Sequence, residues 1–500
     1  MAVVVTAPWP WLSCLIGLPV AAGGVLLALG EARARLAGPL AVLCAAATVL
    51  LAAWPLAAGF DPAAGLQWAE RRPWIEAFGV HWAVAVDGPA LALILLTAAM
   101  TLVVVLLGGT VAYLAAFLVL EGLLIGVFAA QDALLFYAFF EAMLLPMLVI
   151  IGVWGGPARR RAALKFFLYT FAGSVLFLAA VLYLARRAGG FDLAAFGAVA
   201  LDPIEQAWLF GAFFLAFAVK VPMLPLHTWL PEAHVEAPTG GSVILAAITL
   251  KIGAWGFLRF ALPITPLACA EFAVPVVALS LAAVVYVGLL ALVQRDLKKL
   301  VAYSSIAHMG FVTLGLFLGP ASAAAGAPDP QAALLGLQGA FVQMISHGLV
   351  SAALFVGVGV LYRRTHSRAI DAYGGLAARL PLFAALFTLF ALANTAVPGT
   401  SGFVGEFLVL LGSWRLVPWW AAIAGSTLLL SAAYTLWMLR RVVFGPVPAA
   451  AAPLAPLDRA ETVVLAALAA AVLILGLWPQ PLLALIGPSL SGLVEGMSAP

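Results

Sequence analysis

Charge is what this chain has least of. Of its 500 residues only 9% are Asp, Glu, Lys or Arg, against about 25% in an ordinary globular chain. With a mean hydropathy of +1.15, that scarcity excludes a fold that keeps most of its surface in water. Cysteine is also scarce. Cys14, Cys44 and Cys269 lie far apart, which excludes a disulfide framework and any cysteine metal or cluster motif. There is no P-loop and no Gly-rich dinucleotide turn after a strand. The chain therefore has no recognisable motif for ATP, NAD, flavin or an iron–sulfur cluster, and its energy must come from an ion gradient or a partner. No basic segment precedes the first apolar run, so the N-terminus reads as the lead into a first span rather than a signal peptide. The alternation of a membrane β-barrel is missing.

What is present is apolar: 65% of the residues are hydrophobic. Runs of about 18 or more such residues recur along the chain, and in lipid they must be helices, because every backbone polar group has to be satisfied internally. The expectation is an all-α polytopic membrane protein of about fourteen spans, near 12–30, 37–58, 90–108, 111–130, 132–154, 162–185, 205–226, 238–262, 268–293, 300–319, 332–361, 381–412, 418–442 and 461–486. Connections are short, the longest being the loop 59–88. Loops after odd-numbered spans carry sixteen Lys and Arg residues and loops after even-numbered spans six. By the positive-inside rule the odd loops should face the cytoplasm and both termini the opposite side.

Two spans are interrupted. Span seven contains KVPMLPLHTW (220–229) and span twelve NTAVPGTSGFVGEF (394–407). Proline removes an N–H and clashes with the preceding turn, and paired broken helices point to inverted-repeat transporters. The breaks lie five spans apart, which predicts repeats over spans 4–8 and 9–13. The expected segments are 1–110, 111–262 (first repeat), 263–443 (second repeat) and 444–500.

A charge at the bilayer centre costs about 2.5–3.5 kcal/mol on insertion scales, so each buried one needs a reason. Glu141 in span five, Lys220 in span seven, Lys251 in span eight, His308 in span ten, His347 in span eleven and Glu406 in span twelve are the candidates. A lysine or carboxyl out of water is pushed toward its neutral form and a nearby opposite charge pushes it back, so moving the partner loads or unloads a proton. Blander readings stand beside this one. Glu141 and Lys220 could be a fixed pair joining two helices, Lys251 could snorkel, the histidines could be satisfied core residues, and Glu406 could hold freed backbone N–H groups. Glu121 could pair or relay within span four. Asp132, Glu232, Glu236, His227 and His234 read as interfacial caps or loop residues.

FYAFFEAMLLPMLVIIGVWGG, KVPMLPLHTWLPEAHVEAPTGGSVILAAITLKIGAWGFLRF, DLKKLVAYSSIAHMGFVTLG, QMISHGLVSAALFVGVGVLYRRTHSR and TSGFVGEFLVLLG resemble the antiporter-like membrane subunits of respiratory complex I. The resemblance runs from about Asp87 to Gly412. It is nearest the M type, because Glu406 stands where the L and N types usually carry lysine, and because no long lateral helix follows the last span. The resemblance implies one proton channel per subunit, with Glu141 and Lys220 as a switchable ion pair, Lys251 as central relay, His308 and His347 extending the polar axis, and Glu406 serving the exit. It implies no cofactor in this chain, with NAD, FMN, iron–sulfur clusters and quinone in partner subunits, and neighbouring antiporter-like subunits and the inner-membrane bilayer as partners. A subunit of a multisubunit sodium/proton antiporter, a structural membrane scaffold and a hydrogenase membrane subunit are the alternatives.

Overall fold

A computed structural model describes residues 5–6, 9–447 and 453–498. Among these, twelve helices are long and apolar enough to cross a membrane, from Trp11–Leu29 to Arg459–Leu477. The other two expected spans are the interrupted ones. The helix Pro203–Lys220 stops two residues before Pro222 and the chain resumes as the short helix Trp229–Glu236. Likewise Pro381–Asn394 gives way to Ser401–Leu416 across an irregular stretch, in which Ala396 and Gly399 adopt φ of +55° and +89°. A third interruption, not expected, splits span five at Met143 into Ala133–Ala142 and Leu144–Trp154. Pro146 lies just beyond it, and a proline N cannot donate to the carbonyl four residues back.

The loop 59–88 is not a plain loop. It contains β2 (Gln67–Ile75) and β3 (Val80–Val86), paired antiparallel, with β1 (Val5–Thr6) parallel to β2. The Glu70 carboxylate on β2 accepts from the amides of Leu12 and Ser13 at 2.6 and 3.2 Å. It thereby caps the helix Trp11–Leu29, whose own N-terminal residue offers no side-chain cap. The charges of this segment, which read as loop, thus serve a sheet and a cap.

The chain forms two compact units. The first comprises Met1–Val221, Ile248–Phe272 and Ala484–Pro500. Its helices Gly88–Leu106 and Val111–Ala129 are 78% and 72% buried, whereas Trp11–Leu29 is 33% buried, so the former make the interior and the latter the rim. A cluster of phenylalanines (Phe136, Phe140, Phe177, Phe213, Phe217, Phe260) fills that interior in edge-to-face and tilted contacts. The second unit comprises Pro222–Ala247 and Ala273–Leu483, built on the helices Leu297–Ala324 and Pro330–Thr365, each 94% buried.

Two residues expected at the surface of this second unit lie inside it. Lys298 donates from Nζ to the carbonyl of Ala237 at 2.7 Å and to Ser242 Oγ at 3.3 Å. Ala237 is the C-cap of Trp229–Glu236, where a cation meets the negative end of the helix dipole. His234 is fully buried and stacks on Phe355 with ring centroids 4.6 Å apart. Without Lys298 the loop bias stands at fifteen against six, so its sense is unchanged. Asp132 does cap a helix, accepting from the amides of Leu134 and Leu135.

Candidate functional site

Each unit holds its own group of ionisable side chains. In the first unit Glu141 sits in the last turn before the interruption at Met143. Its carboxyl is half-buried and hydrogen-bonds the Ser174 hydroxyl, while Oε1 has no partner. Lys220 is the last residue of its helix because the chain breaks at Pro222. It is buried, and Nζ makes no hydrogen bond; it lies over the Phe140 ring, 4.7 Å from the centroid. Glu141 and Lys220 are not in hydrogen-bond contact with each other. The ammonium rests on an aromatic face, a weaker partner than a carboxylate.

Lys251 is fully buried. Its helix Thr239–Ile264 is not uniform. Wide π turns at Leu245–Thr249 and Phe257–Ala261 flank the stretch Leu250–Gly256 that carries the lysine, and such turns recur at functional sites. Gly253 lets this helix touch the Lys220 helix main chain to main chain. A Cβ there would lie 2.6 Å from the Phe217 carbonyl oxygen and 2.8 Å from the Val221 nitrogen. Glu121, also in the first unit, is fully buried with neither carboxyl oxygen hydrogen-bonded.

The second unit brings three of the expected residues together. His308 Nδ1 lies 2.7 Å from Glu406 Oε1, and the His308 and His347 ring centroids are 6.1 Å apart. Gln343, which the sequence reading did not single out, donates from Nε2 to the same Glu406 oxygen at 3.1 Å. Ser346 donates to Ser401 at 2.8 Å. His308, Gln343, Ser346, His347 and Glu406 line one small cavity with Asn394 and Gly402. From its wall a chain of hydrogen bonds runs from Asn394 to Ser304 at 2.9 Å and on to Tyr434 at 2.9 Å. His308 is buried inside the protein.

The elements account for this convergence. Glu406 lies in the second turn of Ser401–Leu416, so the break places a carboxyl and a helix start inside the bundle. Gly405 allows that helix to lie against Gln343, whose backbone nitrogen would be 2.7 Å from an added Cβ. Gln343 and His347 are four residues apart on Pro330–Thr365 and share a face. That spacing was the signal for Gln343. Among the described residues no set of three His, Cys, Asp or Glu comes together as a metal site. The arrangement can hold and pass protons between histidine and carboxyl groups out of bulk water.

Comparison with known proteins bears on what such a site is for. A family model described as NADH:quinone oxidoreductase/Mrp antiporter, TM, matches residues 130–431, a stretch that contains all six candidate residues. NADH-quinone oxidoreductase subunit M of Rhodobacter capsulatus is 46% identical over 98% of this chain and 97% of its own length. A chain of respiratory complex I from Thermus thermophilus with bound NADH superposes with a TM-score of 0.88 at 33% identity, covering 98% of this chain and 100% of that one. A chain of the Mrp complex from Dietzia sp. DQ12-45-1b gives a TM-score of 0.84 over 98% and 99% of the two chains. At 19% identity that last likeness is one of fold alone. The chain belongs to the transmembrane family of NADH:quinone oxidoreductase and Mrp antiporter subunits and, within it, to the M subunits of NADH-quinone oxidoreductase.

Proposed function

We propose that this chain translocates protons across a bacterial inner membrane as the M subunit of NADH-quinone oxidoreductase, driven by electron transfer in partner subunits. The buried His308–Glu406 pair, at 2.7 Å and steadied by Gln343, is the observation that carries this reading. A proton-exchanging pair in an apolar bundle is costly, and transport gives a reason to keep it.

In this reading Glu141 and Lys220 are the switch, Lys251 relays, His308 and His347 carry the proton onward, and Glu406 serves its release. The inverted-repeat segments 111–262 and 263–443 each supply part of the path. A fixed pair gluing two helices would be a closed contact. Lys220 instead rests on Phe140 without a hydrogen bond, which supports a pair that opens. The direction is from cytoplasm to periplasm, with both termini on the periplasmic side. NAD, FMN, iron–sulfur clusters and quinone belong to partner subunits, and this chain takes part in the oxidoreductase only as its translocating member.

The test is proton pumping and NADH oxidation measured together in membranes carrying Glu141→Gln or Lys220→Ala, with assembly checked on native gels. Assembled complex with pumping lost is the expected result. Assembled complex that pumps normally would leave a scaffold. The fold shared with the Mrp chain keeps one other reading open, a sodium/proton antiporter, and sodium-dependent transport without NADH oxidation would establish it instead.

A further inference from the structure

Away from the buried groups, the helix Pro418–Val442 ends beside a cavity of about 650 Å³ whose lining includes Asp371, Tyr373, Trp437, Arg440, Arg441 and Phe444. The two arginines are not equivalent. Arg441 is committed: it pairs with Asp371 and its guanidinium lies over the Trp437 ring, 4.7 Å from the centroid. Arg440 is exposed and has no ion-pair partner among the described residues. With Asp371 cancelling Arg441, the rim keeps the positive charge of Arg440.

What precedes Arg440 on its helix decides what that charge is for. Leu429, Ala433, Leu436 and Arg440 follow one another at spacings of four, three and four and are all exposed, so they form one outward stripe. Leu429 and Leu436 are 77% and 52% exposed. An apolar stripe that ends in an unneutralised arginine suits an amphiphile with an anionic head. From Leu429 to Arg440 the rise is about 16 Å at about 1.5 Å per residue, close to half of the roughly 30 Å hydrocarbon core. Trp437, Tyr373 and Phe444 gather at the charged end, where aromatic side chains favour the boundary between hydrocarbon and water.

We infer that this cavity seats the headgroup of an anionic phospholipid, its phosphate on Arg440 and one acyl chain lying along Leu436, Ala433 and Leu429. The site is independent of the proton path. Its selectivity comes from net charge: a zwitterionic headgroup brings its own cation to a rim that is already positive.

The test uses the intact purified complex and a phosphatidylglycerol carrying a photoactivatable diazirine on its acyl chain, with adducts mapped by mass spectrometry. Labelling is expected within residues 429–447, competed by unlabelled phosphatidylglycerol but not by phosphatidylcholine or inorganic phosphate. Arg440→Gln should lower it about fivefold, the factor one arginine near an anionic surface is worth, and Arg440→Lys should retain most of it. Equal competition by phosphatidylcholine, or unchanged labelling in Arg440→Gln, would overturn the proposal. So would displacement by inorganic phosphate alone, which would mean a free-anion site, or no labelling at all, which would mean a protein chain covers this face. If Arg440→Gln fails to assemble, the competition series and Arg440→Lys still decide.

Discussion

Glu406 Oε1 accepts from Gln343 and shares a hydrogen bond with His308 Nδ1, while Oε2 is buried without a partner. A hydrogen bond between buried partners contributes about 0.5–1.5 kcal/mol net, so Gln343 is not filler. Gln343→Leu should leave the complex assembled and cut proton pumping by about tenfold or more, read as the pumping-to-assembly ratio in vesicles. Unchanged pumping would remove Gln343 from the site. The histidines, lysines and carboxyls were legible because each is an ionisable group in an apolar run. Gln343 was not, because a neutral amide raises no such alarm. Only its spacing from His347 marks it. The relation between Glu141 and Lys220 was also out of reach, since which face of Phe140 an ammonium chooses is decided by packing.

At the scale of elements, contacts between helices set the site. Gly405→Ala would place a methyl 2.7 Å from the Gln343 nitrogen, main-chain atoms that cannot step aside. The expected cost is about 1–3 kcal/mol, as for other overpacked contacts, seen as a lower melting temperature of the assembled complex. The Gln343 helix is tied at both ends. At its start Asp329 accepts from the amides of Gln331 and Ala332, at 3.0 Å each, and pairs with Arg415. The Ala332 amide foremost, then Arg415, holds the Asp329 carboxyl below its ordinary range. A depressed carboxyl stabilises the fold above its unfolded value of about 3.9 and loses that contribution as pH falls through the lower folded value. The protection of the Gln331 and Ala332 amides, read as exchange relative to the intrinsic rate at each pH, should therefore fall as pH drops below about 4, and Asp329→Asn should abolish that loss of protection.

At its other end, buried Glu461 binds Arg363 and Arg364 at 2.7 and 2.6 Å. Glu461→Ala would leave Arg363 half-exposed to solvent and Arg364 still bonded to the Ala455, Val360 and Pro456 carbonyls. The cost is nearer that of a lost charged hydrogen bond, about 1.5–3 kcal/mol, and should lower the yield of folded chain. The breaks at Pro222 and Pro398 were readable because proline announces them. The one at Met143 was not, since Pro146 stands in an unbroken apolar run, LLPMLVIIGVW, with no polar residues beside it to mark freed backbone groups. The β-hairpin was missed because Glu70, Arg71 and Arg72 read as solvated loop when Glu70 in fact caps a helix.

For the whole molecule, the bias of basic residues predicts which side each loop faces. In a Cys14→Ser background, Arg72→Cys should react with a membrane-impermeant thiol reagent from the periplasmic side. Arg160→Cys should react only from the cytoplasmic side, and the reverse pattern would invert the orientation. At Gly253 the two lysine-bearing helices meet through a carbonyl and an amide, with no room for a methyl group. A distance set by peptide groups does not depend on the greasy side chains around it. The spacing of those two helices is thus fixed where a carbonyl and an amide meet, and a side chain added at residue 253 would prise it open.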